Sequence, residues 1–286
     1  MALEKLQLWG LERLPKNLVS RAFGGISEVA FPGPMQRVVN RSFLAISGAE
    51  LDEAPGEVGD YETLNALFTR QLREGTRSVE TDRAELVSPV DGALGMFGAI
   101  EEGTLLQAKG REYRLLDLVD SAEAAERYQG GHYATIYLSP KDYHRIHSPV
   151  GGEIERFSYI PGHLFPVNPL AVENIDNLFA VNERLITYIQ SATLGEVAVI
   201  KVGATCVGRI TLTHERFETN RPLRRRQEWA PTGDELGVEA GDELAVFNLG
   251  STVILLIEEG SFAFREDLSD DSVLRVGEAM GEGNTL

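Results

Sequence analysis

The chain has 286 residues, 43% of them hydrophobic and 25% charged, which excludes wholesale disorder and a multi-domain array. A single cysteine, Cys206, excludes an internal disulfide and reads as a reducing compartment, and no apolar run approaches the ~18–20 residues of a membrane-spanning helix. The net charge of −17 leaves no basic face for nonspecific nucleic-acid binding.

That charge is uneven. Residues 1–46 carry six cations (Lys5, Arg13, Lys16, Arg21, Arg37, Arg41) and three anions (Glu4, Glu12, Glu28), so a weakly basic start precedes a strongly acidic body. Charges and Gly10 interrupt the N-terminus before a secretory h-region forms. Pro15 suits a first helical turn, and Leu18, Val19, Ala22 and Phe23 follow on one side until Gly24-Gly25 stops the run. Pro34 opens a second helix, with Met35, Val38, Val39, Leu44 and Ile46 at 3–4 spacing and Arg37 and Arg41 on another face. Periodicity alone favours a helical layer packed on a core over an amphipathic segment lying on an anionic membrane. A third helix is expected over 61–72.

From Glu85 the pattern changes to short β-like runs punctuated by glycine. The expected strands are 85–90, 92–99, 104–108, 133–138, 153–160, 183–190, 196–202, 205–213, 243–247 and 251–258. Short helices are expected at 115–119 and 170–175. Many short strands at close spacing indicate an α+β chain: a β-rich catalytic sandwich or partly closed barrel behind an N-terminal helical segment. The tail after Asp267 is acidic and glycine-bearing, with a mobile end.

Three features bear on chemistry. Two of the five histidines lie in Asp142-Tyr143-His144-Arg145-Ile146-His147. They could be zinc ligands with a carboxylate, acid/base groups, or structural residues; the spacing is not the H-E-x-x-H of one helical face. Ser88-Pro89-Val90-Asp91-Gly92 places an acid where a turn residue is common, and where it could also orient a histidine. Leu249-Gly250-Ser251-Thr252 joins two apolar runs. Glycine there commonly marks a bend, but it also leaves its own carbonyl open to attack by the Ser251 hydroxyl if a base takes the proton.

Together these segments resemble the bacterial pyruvoyl-dependent phosphatidylserine decarboxylases. The resemblance rests on Leu249-Gly250-Ser251-Thr252, on the stretch from Tyr137 to Pro149, and on Ser88-Pro89-Val90-Asp91-Gly92. Phe68-Thr69-Arg70, Pro161-Gly162-His163-Leu164-Phe165-Pro166-Val167-Asn168, the stretch from Asn177 to Arg184, and Val202-Gly203-Ala204-Thr205 match as well. Their order and spacing agree from about residue 60 to 260; the ends match more loosely.

The resemblance implies a proenzyme that cuts itself between Gly250 and Ser251, into a β chain of residues 1–250 and an α chain of residues 251–286 that stay associated. It assigns His147 as the base for Ser251 and Asp91 as the acid that holds and polarises it, with Asp142 and Thr252 in support. Ser251 becomes a covalent pyruvoyl group, with no metal. That group forms a Schiff base with phosphatidylserine and releases CO2 to give phosphatidylethanolamine, and His144 is the general acid. Phe165, Val167 and Asn168 could border the lipid pocket. Lys141 or Arg145 could meet the phosphate, while His163, His132, His214 and Cys206 carry no assigned chemistry. With a lipid substrate, membrane contact becomes the favoured reading of residues 1–60, and 61–286 becomes the catalytic domain. The implied location is peripheral, on the cytoplasmic side of the cell membrane; a homodimer is left open.

Overall fold

In the computed structural model, the described residues are 16–283 apart from 83, 109–110, 120, 206–208, 223–224, 233–235, 249–251 and 261. Cys206, Gly250 and Ser251 therefore lie outside the described residues, as does Pro15.

Helix α1 (Lys16–Ser27) does not stop at Gly24-Gly25; it runs on for another turn, and the Ser27 hydroxyl donates to the Gly24 carbonyl at 2.8 Å. Helix α2 (Gly33–Ser47) opens on Pro34, whose missing N–H needs no partner there. It closes on Gly48 at φ 73°, with the Gly48 N–H donating to the Leu44 carbonyl. Both helices turn their polar sides inward: Lys16, Ser20, Ser27, Gln36 and Asn40 are the buried positions. Gln36 Nε2 donates to Asn40 Oδ1 at 2.8 Å, and Asn40 Nδ2 donates to the Val58 and Tyr61 carbonyls at 3.0 Å each. Leu18, Ile26, Val38 and Ile46 are 59%, 60%, 62% and 87% exposed. The helices therefore lie on the body through polar contacts and leave much of their apolar side outward, because the sequence marks two faces but not which of them meets the body. Helix α3 (Leu64–Phe68) is shorter than expected. Thr63 caps it by accepting from the Ala66 N–H, which starts the helix after residue 61, and Thr69 closes it.

The β-rich part follows as β1 (Leu86–Val87), β2 (Gly92–Ala99), β3 (Thr104–Ala108), β4 (Arg111–Arg114), α4 (Leu115–Val119), α5 (Ala122–Arg127) and β5 (His132–Tyr137). Next come β6 (Arg145–His147), β7 (Gly152–Ile160), α6 (Pro169–Asn174), α7 (Leu178–Val181), β8 (Arg184–Ser191) and β9 (Gly195–Val202). The chain continues through β10 (Arg209–Leu212), β11 (Gln227–Trp229), β12 (Leu236–Val238), β13 (Glu243–Asn248), β14 (Thr252–Ile257), β15 (Phe262–Phe264), β16 (Val273–Leu274) and β17 (Ala279–Gly283).

The main sheet has the order β11-β7-β8-β9-β14-β5-β2-β16, with β12 also on β7, and its pairings are antiparallel. Smaller sheets run β10-β13-β6 and β1-β17-β15. The chain is α+β, with several sheets that are not closed into a barrel. Strand β14 lies inside the main sheet and is buried on both faces. Val253, Leu255 and Ile257 enter one core, packed with Phe247, Ile210 and Leu244 of the β10-β13-β6 layer. Ile254 and Leu256 enter the other, covered by β3-β4 and α4–α7 through Leu105, Leu118, Ala171 and Phe179. Two-sided burial explains why Thr252–Ile257 reads as a continuous apolar run rather than an alternating one.

The tail does not trail away after Asp267. Val273 and Leu274 pair with Ala93 and Gly92, and β17 pairs with β1 and β15 up to Gly283. Residues 284–286 lie outside the described residues.

Candidate active site

The register of the main sheet sets the site. Thr252, which follows Ser251 in sequence, lies opposite Val202 on one side and Tyr137 on the other, and Tyr137 also faces Ala93. The β2 and β5 strands therefore bring Asp91 and the 138–147 loop to the end of β14 where cleavage is expected. The loop is tied down by backbone bonds: His147 N donates to the Pro89 carbonyl at 2.8 Å, and Phe247 N to the His144 carbonyl at 2.9 Å. Ser88-Pro89-Val90 and Ser148-Pro149-Val150 form the same turn, each serine hydroxyl donating two residues on, at 2.8 and 2.7 Å.

His144 stands just before β6 and His147 ends it. Along extended backbone, a spacing of three puts side chains on opposite faces. The two rings accordingly have separate surroundings. Among the described residues, no group of three or more His, Cys, Asp or Glu is placed to hold a metal.

The His147 Nδ1–H donates to the Gly241 carbonyl at 2.6 Å. Its Nε2 then carries the lone pair, which accepts from the Tyr143 hydroxyl at 3.2 Å, with the two rings stacked at 5.6 Å. Burial pulls the imidazole below its ordinary pKa; the hydrogen bond to Gly241 and the charges of Glu243 and, more weakly, Asp91 push the other way, Asp91 without touching the ring. Asp91 itself accepts from Arg77 through both oxygens, in an ion pair that includes Nη2, and from Val276 N at 2.8 Å. Arg77 also holds Glu53 at 2.8 Å, and Glu53 meets Arg275 at 2.9 Å. The orienting partner on Nδ1 is thus a backbone carbonyl, while Asp91 acts on His147 through space. Asp142 is turned to its own loop: Oδ2 accepts from Ser139 N at 2.6 Å, and burial raises its pKa.

His144 is fully buried, with its ring 4.0 Å from that of Phe68. Nδ1–H donates to the Asp142 carbonyl at 2.8 Å, and Nε2 has no partner among the described residues. Burial, with the Arg70 charge adding to it, lowers its pKa to about 3. A neutral folded-state imidazole whose unfolded pKa is ~6.5 makes the unfolded chain bind more protons, so stability falls as pH drops from ~6.5 toward 3. In an uncut Ser251→Ala background, His144→Gln should make the pH dependence of urea-unfolding stability shallower by about one proton across pH 6.5–4. An unchanged slope would contradict a buried neutral imidazole.

The other candidates separate. Val167 and Thr252 line a cavity of about 330 Å3 with Met96, Tyr137 and Phe179, and the Thr252 hydroxyl is buried without a partner among the described residues. Asn168 caps α6 by accepting from Ala171 N at 3.0 Å. Phe165 is held by Asn182 through both its N–H and its carbonyl, and carries Lys16 Nζ 4.0 Å above its ring. Arg145 is committed to Glu243 at 2.7 Å and to the Thr69 carbonyl at 3.0 Å. His132 packs against Phe262 and Phe264, His163 against Phe165, and His214 is exposed with Nε2 on the Glu243 carbonyl. Sequence reasoning missed Arg77, Gly241 and Tyr143. Only Tyr143 had a signal, its place between Asp142 and His144.

The family model described as "Phosphatidylserine decarboxylase" matches residues 64–282. The phosphatidylserine decarboxylase proenzyme of Myxococcus xanthus (strain DK1622) is 40% identical over 273 residues, covering 95% of this chain and 96% of that relative. That of Anaeromyxobacter sp. (strain K) is 41% identical over 282 residues (97% and 98%), and that of Brevibacillus brevis 39% over 271 (94% and 95%). The chain belongs to the phosphatidylserine decarboxylase family.

Proposed function

We propose that this family member is a self-processing carboxy-lyase that converts phosphatidylserine to phosphatidylethanolamine, using a pyruvoyl group made from Ser251. The observation that carries the reading is the convergence of the family's separated segments, Asp91 with residues 142–147, on the end of β14 that Thr252 opens.

The residues suit self-cleavage. A serine hydroxyl needs a base, and His147 Nε2 is the lone-pair nitrogen because Gly241 takes Nδ1–H. His147 removes the Ser251 proton as the hydroxyl attacks the Gly250 carbonyl, and the peptide becomes an ester. Loss of the Ser251 Cα proton releases the Gly250 carboxylate, and hydrolysis of the resulting dehydroalanine frees ammonia. The Glu243 and Asp91 charges favour the imidazolium that forms in the first step.

The surroundings also suit the group that results. The Thr252 hydroxyl and His144 Nε2 are buried polar atoms with no partner among the described residues, free to meet a small polar group and its substrate. The pyruvoyl carbonyl supplies the electron sink for loss of CO2. His144, in a pocket closed by Phe68, holds Nδ1–H on the Asp142 carbonyl and so presents a lone pair at Nε2; Nε2 takes a proton from the substrate ammonium and returns it to the substrate carbon, and its burial excludes bulk water from that transfer.

Residues 1–60 form the membrane-associating part and 61–286 the catalytic domain, with the enzyme peripheral on the cytoplasmic side of the cell membrane. Support comes from the apolar outward faces of α1 and α2. Among the described residues, no helix is long and apolar enough to cross a membrane. Incubation with phosphatidylserine vesicles should release CO2 and yield phosphatidylethanolamine, with Ser251→Ala inactive; unchanged lipid in the presence of self-cleaved protein would refute the substrate assignment.

A further inference from the structure

A cavity of about 500 Å3 lies beside the Asp91–Arg77 pair, walled by Gly48, Arg70, Lys141, Asp142 and Tyr143 among others. Most of its charges are already matched. Asp91 and Glu53 are held by Arg77 and Arg275, and Asp142 accepts from Ser139 N. Glu50 and Asp52 sit exposed at the rim. Arg70 is different. It is only 6% exposed, its Nη2 donates to the Lys141 carbonyl at 3.0 Å, and its Nη1 has no partner among the described residues. No carboxylate of the described residues lies within ion-pair distance of it, so it is a buried cation with an unmet donor. Such a group is costly unless an anion completes it.

We propose that Arg70, with Lys141 at the same wall, seats the phosphodiester of the lipid headgroup. The inference rests on the decarboxylase reading for the identity of the lipid. Two observations favour the phosphodiester over the substrate carboxylate. First, the carboxylate loses its charge as CO2 departs, so a cation bound to it would stabilise the ground state more than the transition state. The phosphodiester keeps its charge throughout. Second, the cavity wall begins at Gly48, two residues beyond Ile46, the most exposed apolar side chain of α2. The cavity therefore adjoins the end of the helix whose apolar face is proposed to meet the membrane. The loop that carries Lys141 continues directly into His144; Phe68 at the end of α3 packs against His144, and Arg70, two residues on, donates to the Lys141 carbonyl, so one short segment links the seat to the reacting end.

The test is titration calorimetry of self-cleaved His144→Ala protein, which does not consume the serine lipid, with dihexanoyl phosphatidylserine and dihexanoyl phosphatidylethanolamine, the second lacking the carboxylate. Arg70→Gln should weaken both lipids equally, by at least ~10-fold, and Lys141→Gln should weaken both by about 3-fold. Lys141 is exposed, so its variant carries the test even if Arg70→Gln fails to fold. Weakening of the serine lipid alone would reassign the cavity to the carboxylate and overturn the proposal. So would displacement of either lipid by equimolar inorganic phosphate, or unchanged affinities in both variants. CO2 release is measured separately: wild-type protein that binds both lipids in an Arg70-dependent way without decarboxylating would refute the enzymatic reading and support the seat.

Discussion

His147→Ala is expected to stay a single uncut chain, whereas His144→Ala should cut itself and then lose decarboxylation by ~10²–10⁴-fold, the range that one positioned acid or base contributes. The split follows from the opposite faces of the extended segment. His147 keeps its ring nitrogen defined by the Gly241 carbonyl and its stack on Tyr143, none of which involves His144. His144 stands against Phe68 with Nε2 unpartnered among the described residues, an arrangement that is idle until a substrate arrives. Gel electrophoresis of both variants, followed by CO2 release from whichever has cut, checks the assignment. Equal loss of cleavage in the two would mean that the histidines act as one unit.

Replacing Leu18, Ile26, Val38 and Ile46 together by glutamine should abolish vesicle binding while leaving the fold intact. These side chains are among the most exposed apolar groups of α1 and α2, so their replacement removes no core packing, and surface changes of this kind alter stability by only about ±0.5 kcal/mol. Burying one such side chain in an apolar medium is worth ~1.5–3 kcal/mol, so losing four weakens membrane partitioning by well over ~10³-fold. Glutamine leaves the local charge unchanged, which separates the apolar contribution from attraction to anionic lipid. Vesicle co-sedimentation and a thermal melt read the two effects. Retained sedimentation with an unchanged melt would place the membrane contact elsewhere.

Much of the fold was legible because its patterns are local. Gly92–Ala99, Thr104–Ala108 and Leu115–Val119 fall on the expected spans, and β14 announces itself by its apolar run. The shortest strands were not legible. Arg145–His147 and Val273–Leu274 are too short for periodicity, and partners far away in sequence make them strands. The orientation of α1 and α2 was hidden for a different reason. Amphipathicity is a property of the helix alone, but the side that docks is decided by the Asn40 and Gln36 hydrogen bonds to the body and to each other. At the site, Asp91, His144 and His147 stood out through their motifs. Arg77 lies in a loop with no pattern, and Gly241 contributes only a carbonyl, which leaves no trace in sequence.

The most direct measurement is an intact mass spectrum of the freshly purified protein. Self-cleavage predicts a light fragment of residues 251–286, about 4 kDa of the 31.4 kDa total, one ammonia lighter than the same peptide beginning with serine, as a pyruvoyl terminus requires. A single 31.4 kDa species that persists on prolonged incubation would contradict the account.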